Sequence, residues 1–296
     1  MRNQIKLQDI NEHFNEDKKL ISDEEQDKLL LVNVRLFKCR LYNLGLKYLI
    51  TSTCAITQSD IEKCYLRYAT FNNVDFTGTN FINCDLENAI FNSCNLRYVT
   101  FRNCKLNLKE ILGCLPSEIN LKVSLLKELR MNQLSLGDNK TADELLIKIH
   151  DAEKDLLLER VKCNTSYHKK REDGISRTIA FFNYIMLQIN DFVWGYGLKL
   201  KKLFRTGVLI LLLFAVLIYF FTGEEYMVIL ETSHDNKVKL NFWESLYASY
   251  TNFTTIGYGH YIPTRLTSII LFSIQNLLGL VFLGFLISGV YRRIAK

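Results

Sequence analysis

The chain has 296 residues, a net charge of +6 and only two prolines. This length fits two domains, or one domain and a membrane region, and the scarcity of proline excludes long proline-rich linkers. Basic residues are spread along the chain, so no stretch is basic enough to predict a nucleic-acid surface. No apolar run follows Met1, so no cleavable signal peptide is expected.

Residues 1–30 are rich in charged side chains and predict a mobile or helical lead-in. After them, from Leu36 to Leu106, every fifth residue is Leu, Ile or Phe, with Thr51 as the exception. A smaller apolar residue, often cysteine, stands two positions before most of these. A period of five matches neither a helix nor a flat strand. It fits a chain that turns a corner every five residues and points one large and one small side chain inward.

This pattern resembles the pentapeptide-repeat family. The resemblance implies a right-handed quadrilateral β-helix over residues 31–116, with four repeats in each coil. Some members of that family mimic DNA, which requires an acidic surface, whereas residues 31–120 carry 10 basic and 7 acidic side chains. We therefore expect a scaffold or docking surface for an unidentified cytoplasmic protein.

Seven of the eight cysteines share the five-residue phase, and only Cys163 falls outside it. Metal sites usually show close pairs such as Cys-x-x-Cys. Free thiols that act as small buried apolar side chains fit the spacing better than disulfides or metal ligands, and they indicate a reducing compartment.

Residues 117–198 are predicted to form a helical connector. Thr141 to Glu144 matches a capping box ahead of apolar residues at helical spacing. This helix could belong to an intersubunit bundle or pack against the end of the β-helix. A second apolar stripe, from Ile175 to Val193, predicts an amphipathic helix at the membrane surface, with an ordinary soluble helix as the alternative.

Two apolar segments, Leu203 to Thr222 and Leu266 to Tyr291, are each long enough to cross a bilayer. Basic residues flank the pair and acidic residues dominate the loop between them, so the positive-inside rule predicts two cytoplasmic termini in a multi-pass protein of the cell membrane. The basic flanks are Lys199, Lys201, Lys202, Arg205, Arg292, Arg293 and Lys296, and the loop acids are Glu224, Glu225, Glu231, Asp235 and Glu244. Residues 199–296 are thus predicted to be an all-α membrane module.

Between the two spans, Asn241 and Glu244 form a second capping box, followed by apolar residues at helical spacing. The stretch is too short to cross a bilayer and ends at Thr-Thr-Ile-Gly-Tyr-Gly, residues 254–259. It predicts a re-entrant pore helix whose negative C-terminal dipole end faces a cation path.

The segment from Thr254 to Tyr261, with Pro263, resembles the pore loop of potassium channels, and the whole module resembles a two-helix potassium channel. The resemblance implies that main-chain carbonyls replace the hydration shell of K⁺. One chain supplies one pore loop, so it also implies a homotetramer in the lipid bilayer. No cofactor is expected beyond K⁺ as the permeant ion.

The resemblance assigns roles to individual residues. The ion-coordinating filter is Thr255, Ile256, Gly257, Tyr258 and Gly259. Filter support comes from Thr254, Trp243, Glu244 and His260. Gly279 and Gly284 in the second span are candidate gating hinges, with close helix packing as the alternative. The family usually has Asp where His260 stands.

The sequence therefore predicts a potassium-selective homotetrameric channel whose cytoplasmic repeat domain serves as a scaffold or in gating. A weakly selective cation channel is one alternative, and a membrane-anchored scaffold with a degenerate pore is another. An enzyme is not predicted, because the five histidines are scattered and no pairing of nucleophile and base is visible.

Overall fold

The computed structural model of the chain describes residues 4–10, 14–163, 173–221, 229–231, 234–237 and 240–294. The chain forms two compact units, Met1–Tyr184 and Ile185–Lys296. After a short 3-10 helix (Leu7–Asp9), the strands of the first unit are β1 (Asn15–Asp17), β2 (Leu20–Ser22), β3 (Leu30–Val32), β4 (Arg35–Phe37), β5 (Arg40–Tyr42), β6 (Ile50–Ser52), β7 (Ala55–Thr57), β8 (Asp60–Glu62), β9 (Thr70–Asn72), β10 (Asn80–Ile82), β11 (Asp85–Leu86), β12 (Ile90–Asn92), β13 (Thr100–Arg102) and β14 (Lys105–Leu106). Its helices are α1 (Leu108–Gly113), α2 (Ile119–Ser135) and α3 (Asn139–Lys162).

The strands stack in parallel as a solenoid. Leu20 of β2 lies opposite Arg40 of β5, which lies opposite Asp60 of β8, so each coil takes 20 residues, or four five-residue repeats. The quadrilateral β-helix is confirmed as a parallel β-solenoid.

The corners of the solenoid explain the polar residues between its apolar positions. One residue in every repeat, from Lys18 to Asn103, has a positive φ angle. Asn tolerates that conformation better than most residues do, which accounts for its abundance here. Phenylalanines fill the interior, and the rings of Phe81 and Phe101 stack with centroids 5.2 Å apart. All eight cysteines are free, and six of them are buried.

The solenoid begins before the predicted boundary at residue 31. Strand β1 pairs with β4 and strand β2 with β5, so residues 15–30 form a first coil and not a mobile or helical lead-in. The repeat is hard to see there because Glu16 and Gln26 occupy positions that hold large apolar residues in later coils. Ile21 and Leu31, in the same phase, are buried.

The other end of the solenoid is covered by helices. The last strand ends at Leu106, and helix α1 begins at Leu108, so the β-helix is shorter than the predicted range to residue 116. Helix α2 packs on β13, and α3 packs on α2 through the buried residues Leu145 and Ile149. Within this unit, the connector therefore packs against the end of the β-helix.

Helix α3 starts earlier than the capping box predicted at Thr141. Asp138 is its N-cap, and its carboxylate accepts a hydrogen bond from the Thr141 N–H at 3.1 Å. The hydrogen bonds from Thr141 lower the pKa of Asp138 below its usual value. Thr141 is thus a donor within the first turn, not the cap.

Helix α4 (Gly174–Trp194) leads into the second unit, which contains α5 (Leu200–Phe221), β15 (Ile229–Glu231), β16 (His234–Lys237), α6 (Phe242–Phe253), β17 (Tyr261–Pro263) and α7 (Leu266–Ile294). The apolar stripe of α4 is largely exposed, with Ile175 at 75% and Phe182 at 67%. Its location at the membrane surface stays a prediction.

Helices α5 and α7 are the two candidate membrane spans, with mean hydropathies of 2.4 and 2.2. The short helix α6 packs against both. The module is not all-α, because β15 pairs with β16 and β17 in an antiparallel sheet that places Leu230 opposite Ile262. The predicted loop acids Glu224 and Glu225 lie outside the described residues.

Candidate functional site: the pore helix and the loop that follows it

Helix α6 begins at the predicted capping box. The Asn241 side chain accepts a hydrogen bond from the Glu244 N–H at 2.9 Å, and the Glu244 carboxylate accepts one from the Asn241 N–H at 2.8 Å. Glu244 therefore holds the start of the helix. Trp243, the other predicted support residue on this turn, is 74% exposed in the single chain.

The loop after α6 folds back onto the end of that helix. The N–H groups of residues 255–257 donate to the carbonyls of Thr251 and Asn252 at 3.0, 3.1 and 3.2 Å. A trans peptide holds its C=O opposite its N–H, and the described chain contains no cis peptide. The carbonyls of residues 254–256 therefore point away from the pore helix.

The backbone alternates in conformation along the same loop. Thr255, Gly257 and Gly259 have φ angles of +58°, +52° and +72°. A β-branched residue with positive φ is an outlier, and such strain is typical of functional sites. Alternation of this kind turns successive peptide groups toward the same side. Within this loop Ile256 is 47% exposed and Tyr258 is 71% exposed in the single chain.

His260 lies at the far end of the loop, where β17 begins. Its ring meets the edge of the Tyr261 ring at 4.8 Å between centroids, and Tyr261 in turn meets Tyr247 of α6 at 6.3 Å. A cavity of about 290 Å³ lies beside these residues and is also lined by Tyr258 and Thr251. The structure thus brings His260 and Tyr258 to the same cavity as the pore helix.

A buried polar network ties α6 to both spans, and sequence reasoning missed it. Ser249 and Gln275 are fully buried. The Gln275 amide donates to the Ser249 carbonyl at 2.9 Å and accepts from the Asn252 side chain at 3.0 Å, and the Ser249 hydroxyl donates to the Leu211 carbonyl at 2.9 Å. The available signal was an uncharged polar residue inside an apolar span, which is costly in a membrane unless it is paired.

The two candidate hinge glycines have different surroundings. A Cβ atom on Gly279 would lie 2.0 Å from the carbonyl oxygen of Phe253, the last residue of α6. No atom lies within 4 Å of the corresponding position on Gly284. Gly279 therefore permits close packing of α7 on the pore helix, whereas Gly284 lies in open space in the single chain.

The end of α4 is fixed to the bases of both spans. The Lys202 ammonium of α5 donates to the carbonyl and to the carboxylate of Asp191 at 2.9 and 2.6 Å. The Trp194 ring stacks on Phe285 of α7 with centroids 4.4 Å apart. Movement at the end of α4 would thus reach the second span directly.

Comparison with known families agrees with this division of the chain. Residues 50–131 match the family model of a pentapeptide repeat region, and residues 206–296 match that of an ion channel. No curated protein matches the chain significantly. The second match contains the pore helix, the loop and the buried network. The chain thus joins a region that matches pentapeptide repeats to a region that matches the ion channel family and contains both candidate membrane spans.

Proposed function

We propose that four copies of this chain form a potassium-selective channel. The observation that carries the proposal is the direction of the loop backbone, whose N–H groups at residues 255–257 bind the end of the pore helix. The carbonyls of residues 254–256 therefore point away from that helix. Four such loops around one axis would surround a dehydrated cation with oxygens, as a potassium filter requires.

The exposed surface of the pore loop supports assembly. Ile256 and Tyr258 are large apolar or aromatic side chains that remain exposed in one chain. Neighbouring subunits would cover them. Because a potassium filter takes four pore loops and each chain supplies one, the assembly would be a closed fourfold ring.

The distribution of charge supports an orientation in the cell membrane. Lys199 and Lys201 stand at the start of α5, and Arg292 and Arg293 stand at the end of α7. Because α5 and α7 are successive spans, these basic groups lie on one side of the bilayer, which the positive-inside rule makes cytoplasmic. The solenoid would then be cytoplasmic too, as a scaffold or as a source of gating input.

Ion flux through the reconstituted full-length protein tests the proposal. We expect potassium-loaded vesicles that contain the protein to take up rubidium, driven by the outward potassium gradient. We also expect their potassium permeability to exceed their sodium permeability. Equal potassium and sodium flux would favour the weakly selective channel with His260 at its mouth. Background flux from protein that is tetrameric in detergent would favour a scaffold with a degenerate pore.

Substitution of one filter glycine sharpens that test. Gly257→Ala should lower the potassium-to-sodium permeability ratio about tenfold or abolish flux, because a left-handed conformation costs alanine about 1–2 kcal/mol in each subunit. Gly113→Ala is the matched control, since Gly113 lies in α1 and no atom lies within 4 Å of the added methyl position. An unchanged ratio in Gly257→Ala would remove the filter assignment.

A further inference from the structure

We propose that Gln275 of the second span is a positioning residue for the selectivity filter. This proposal rests on the proposed ion-selective function. Gln275 does not belong to the loop itself. It holds the last turn of the pore helix, and that turn holds the start of the filter.

Every polar atom of the Gln275 side chain has a partner on the pore helix. Its Nε2 donates to the Ser249 carbonyl at 2.9 Å and to the Ser249 Oγ at 2.6 Å, and its Oε1 accepts from Asn252 Nδ2 at 3.0 Å. The Ser249 hydroxyl donates onward to the Leu211 carbonyl at 2.9 Å, and Asn252 Nδ2 also donates to the Phe272 carbonyl at 2.9 Å.

These partners fix the direction of each hydrogen bond. The carbonyls of Leu211 and Phe272 only accept, so the Ser249 hydroxyl and the Asn252 amide must donate to them. The Ser249 oxygen then accepts from Gln275 Nε2, and Gln275 Oε1 accepts from Asn252. The network has one self-consistent arrangement, which is the condition under which buried polar groups specify a unique geometry.

The same turn of α6 carries the carbonyls that hold the filter. The Asn252 carbonyl accepts the Thr255 N–H at 3.0 Å, and the Thr251 carbonyl accepts the N–H groups of Ile256 and Gly257 at 3.1 and 3.2 Å. One residue, Asn252, thus links Gln275 to the filter, because its side chain binds Gln275 and its carbonyl binds the Thr255 N–H. A small shift of that turn would move the first filter carbonyls relative to the ion path.

Packing adds a second contact between α7 and this turn. Gly279, four residues after Gln275 on the same helix, allows the backbone of α7 to lie against the Phe253 carbonyl. Ser249 and Gln275 have no solvent exposure. Loss of one partner would therefore leave a buried amide or carbonyl without a hydrogen bond, and the turn would relax to another position.

A matched pair of serine variants tests this role. Ser245 and Ser249 lie one turn apart on α6 and are both fully buried. The Ser245 hydroxyl donates to Asn241 within the same segment, at 2.9 Å, whereas the Ser249 hydroxyl reaches α5 and receives Gln275. Ser245→Ala therefore removes a local bond, and Ser249→Ala breaks the network.

We expect Ser249→Ala and Gln275→Leu each to lower the potassium-to-sodium permeability ratio about tenfold, which is the effect of about one buried hydrogen bond. Ser245→Ala should retain the ratio of the unmodified protein. The double variant should be no worse than Gln275→Leu alone, because the network acts as one unit. Tetramer yield and thermal stability are measured on the same samples, because a merely structural role would lower these and leave the ratio of the surviving channels unchanged.

The outcomes separate this inference from the proposed function. If the unmodified protein does not select potassium, the proposed function fails. If it selects potassium and Ser249→Ala and Gln275→Leu select equally well, Gln275 has no positioning role. Should Gln275→Leu fail to assemble, the comparison of Ser249→Ala with Ser245→Ala decides alone, and equal ratios in that pair overturn the inference.

Discussion

At the scale of single residues, the two glycines of α7 have different surroundings although their sequence contexts are alike. Sequence spacing makes Gly279 and Gly284 equal candidates for a hinge. The structure places a carbonyl oxygen 2.0 Å from the missing methyl position of Gly279 and leaves Gly284 with open space. The contact shows that Gly279 allows close packing, and the roles of Gly279 and Gly284 as hinges stay predictions.

We predict that Gly279→Ala destabilises the pore unit. The added methyl group must displace α7 or the end of α6, and such overpacking costs about 1–3 kcal/mol. Thermal unfolding of the detergent-solubilised protein, followed by tryptophan fluorescence, measures the effect. Gly284→Ala is the control and should unfold at or above the temperature of the unmodified protein, because alanine favours the helix and has room. Equal loss of stability in both variants would contradict the packing argument.

At the scale of elements, the end of the solenoid depends on a side chain that replaces a missing coil. The Cys84 carbonyl accepts from the Lys105 N–H of the next coil at 3.1 Å. No further coil follows Cys104, and the side chain of Asn132 in α2 binds its backbone instead. The Asn132 amide accepts from the Cys104 N–H and donates to the Cys104 carbonyl, both at 2.8 Å.

We predict that Asn132→Ala lowers the free energy of unfolding of the first unit. Two buried backbone groups lose their partners, at a cost of about 2 kcal/mol, which corresponds to about 4–8 °C in a unit of this size. Labelling of the buried solenoid thiols in the full chain follows the unfolding of this unit. The control is Ser124→Ala, an exposed position on the same helix, and it should shift the transition by under about 0.5 kcal/mol. If the control variant shifted the transition as much as Asn132→Ala does, any change on α2 would weaken the cap, and the prediction would be wrong.

Elements were predictable where each repeat or turn carries its own signal. The five-residue period predicted the repeats, and the resemblance to pentapeptide-repeat proteins implied four of them in each coil. The register of Leu20, Arg40 and Asp60, 20 residues apart, confirms that coil size. The period failed in the first coil, where Glu16 and Gln26 interrupt the apolar phase. The sheet of β15, β16 and β17 was missed because its strands are short and show no alternation.

In the candidate site, the cap of the pore helix was predictable because Asn241 and Glu244 form a local pattern, and it is confirmed. The assignment of residues 255–259 as a filter stays a prediction. The contact of Ser249 with Gln275 joins residues on two helices, and one sequence gives no measure of which side chains meet across that distance. The cap formed by Asn132 and Cys104 is likewise a tertiary contact.

At the scale of the whole molecule, the chain carries separate natural probes in its two units. All eight cysteines lie in the first unit, and both tryptophans, Trp194 and Trp243, lie in the second. Burial raises the pKa of the Cys94 thiol to about 11. The thiol of Cys94 therefore stays protonated and unreactive at pH 9, and only unfolding of the solenoid exposes it.

We predict two distinct thermal transitions, one reported by thiol labelling at pH 9 and the other by tryptophan fluorescence. Each unit has its own core, and multidomain chains commonly depart from a single transition. Asn132→Ala should move only the labelling transition of the buried thiols, and Gly279→Ala should move only the fluorescence transition. Cys114 and Cys163, which are only partly buried, should label before either. If each variant moved both transitions equally, the two units would unfold as one cooperative structure, and the solenoid would be an energetic part of the pore.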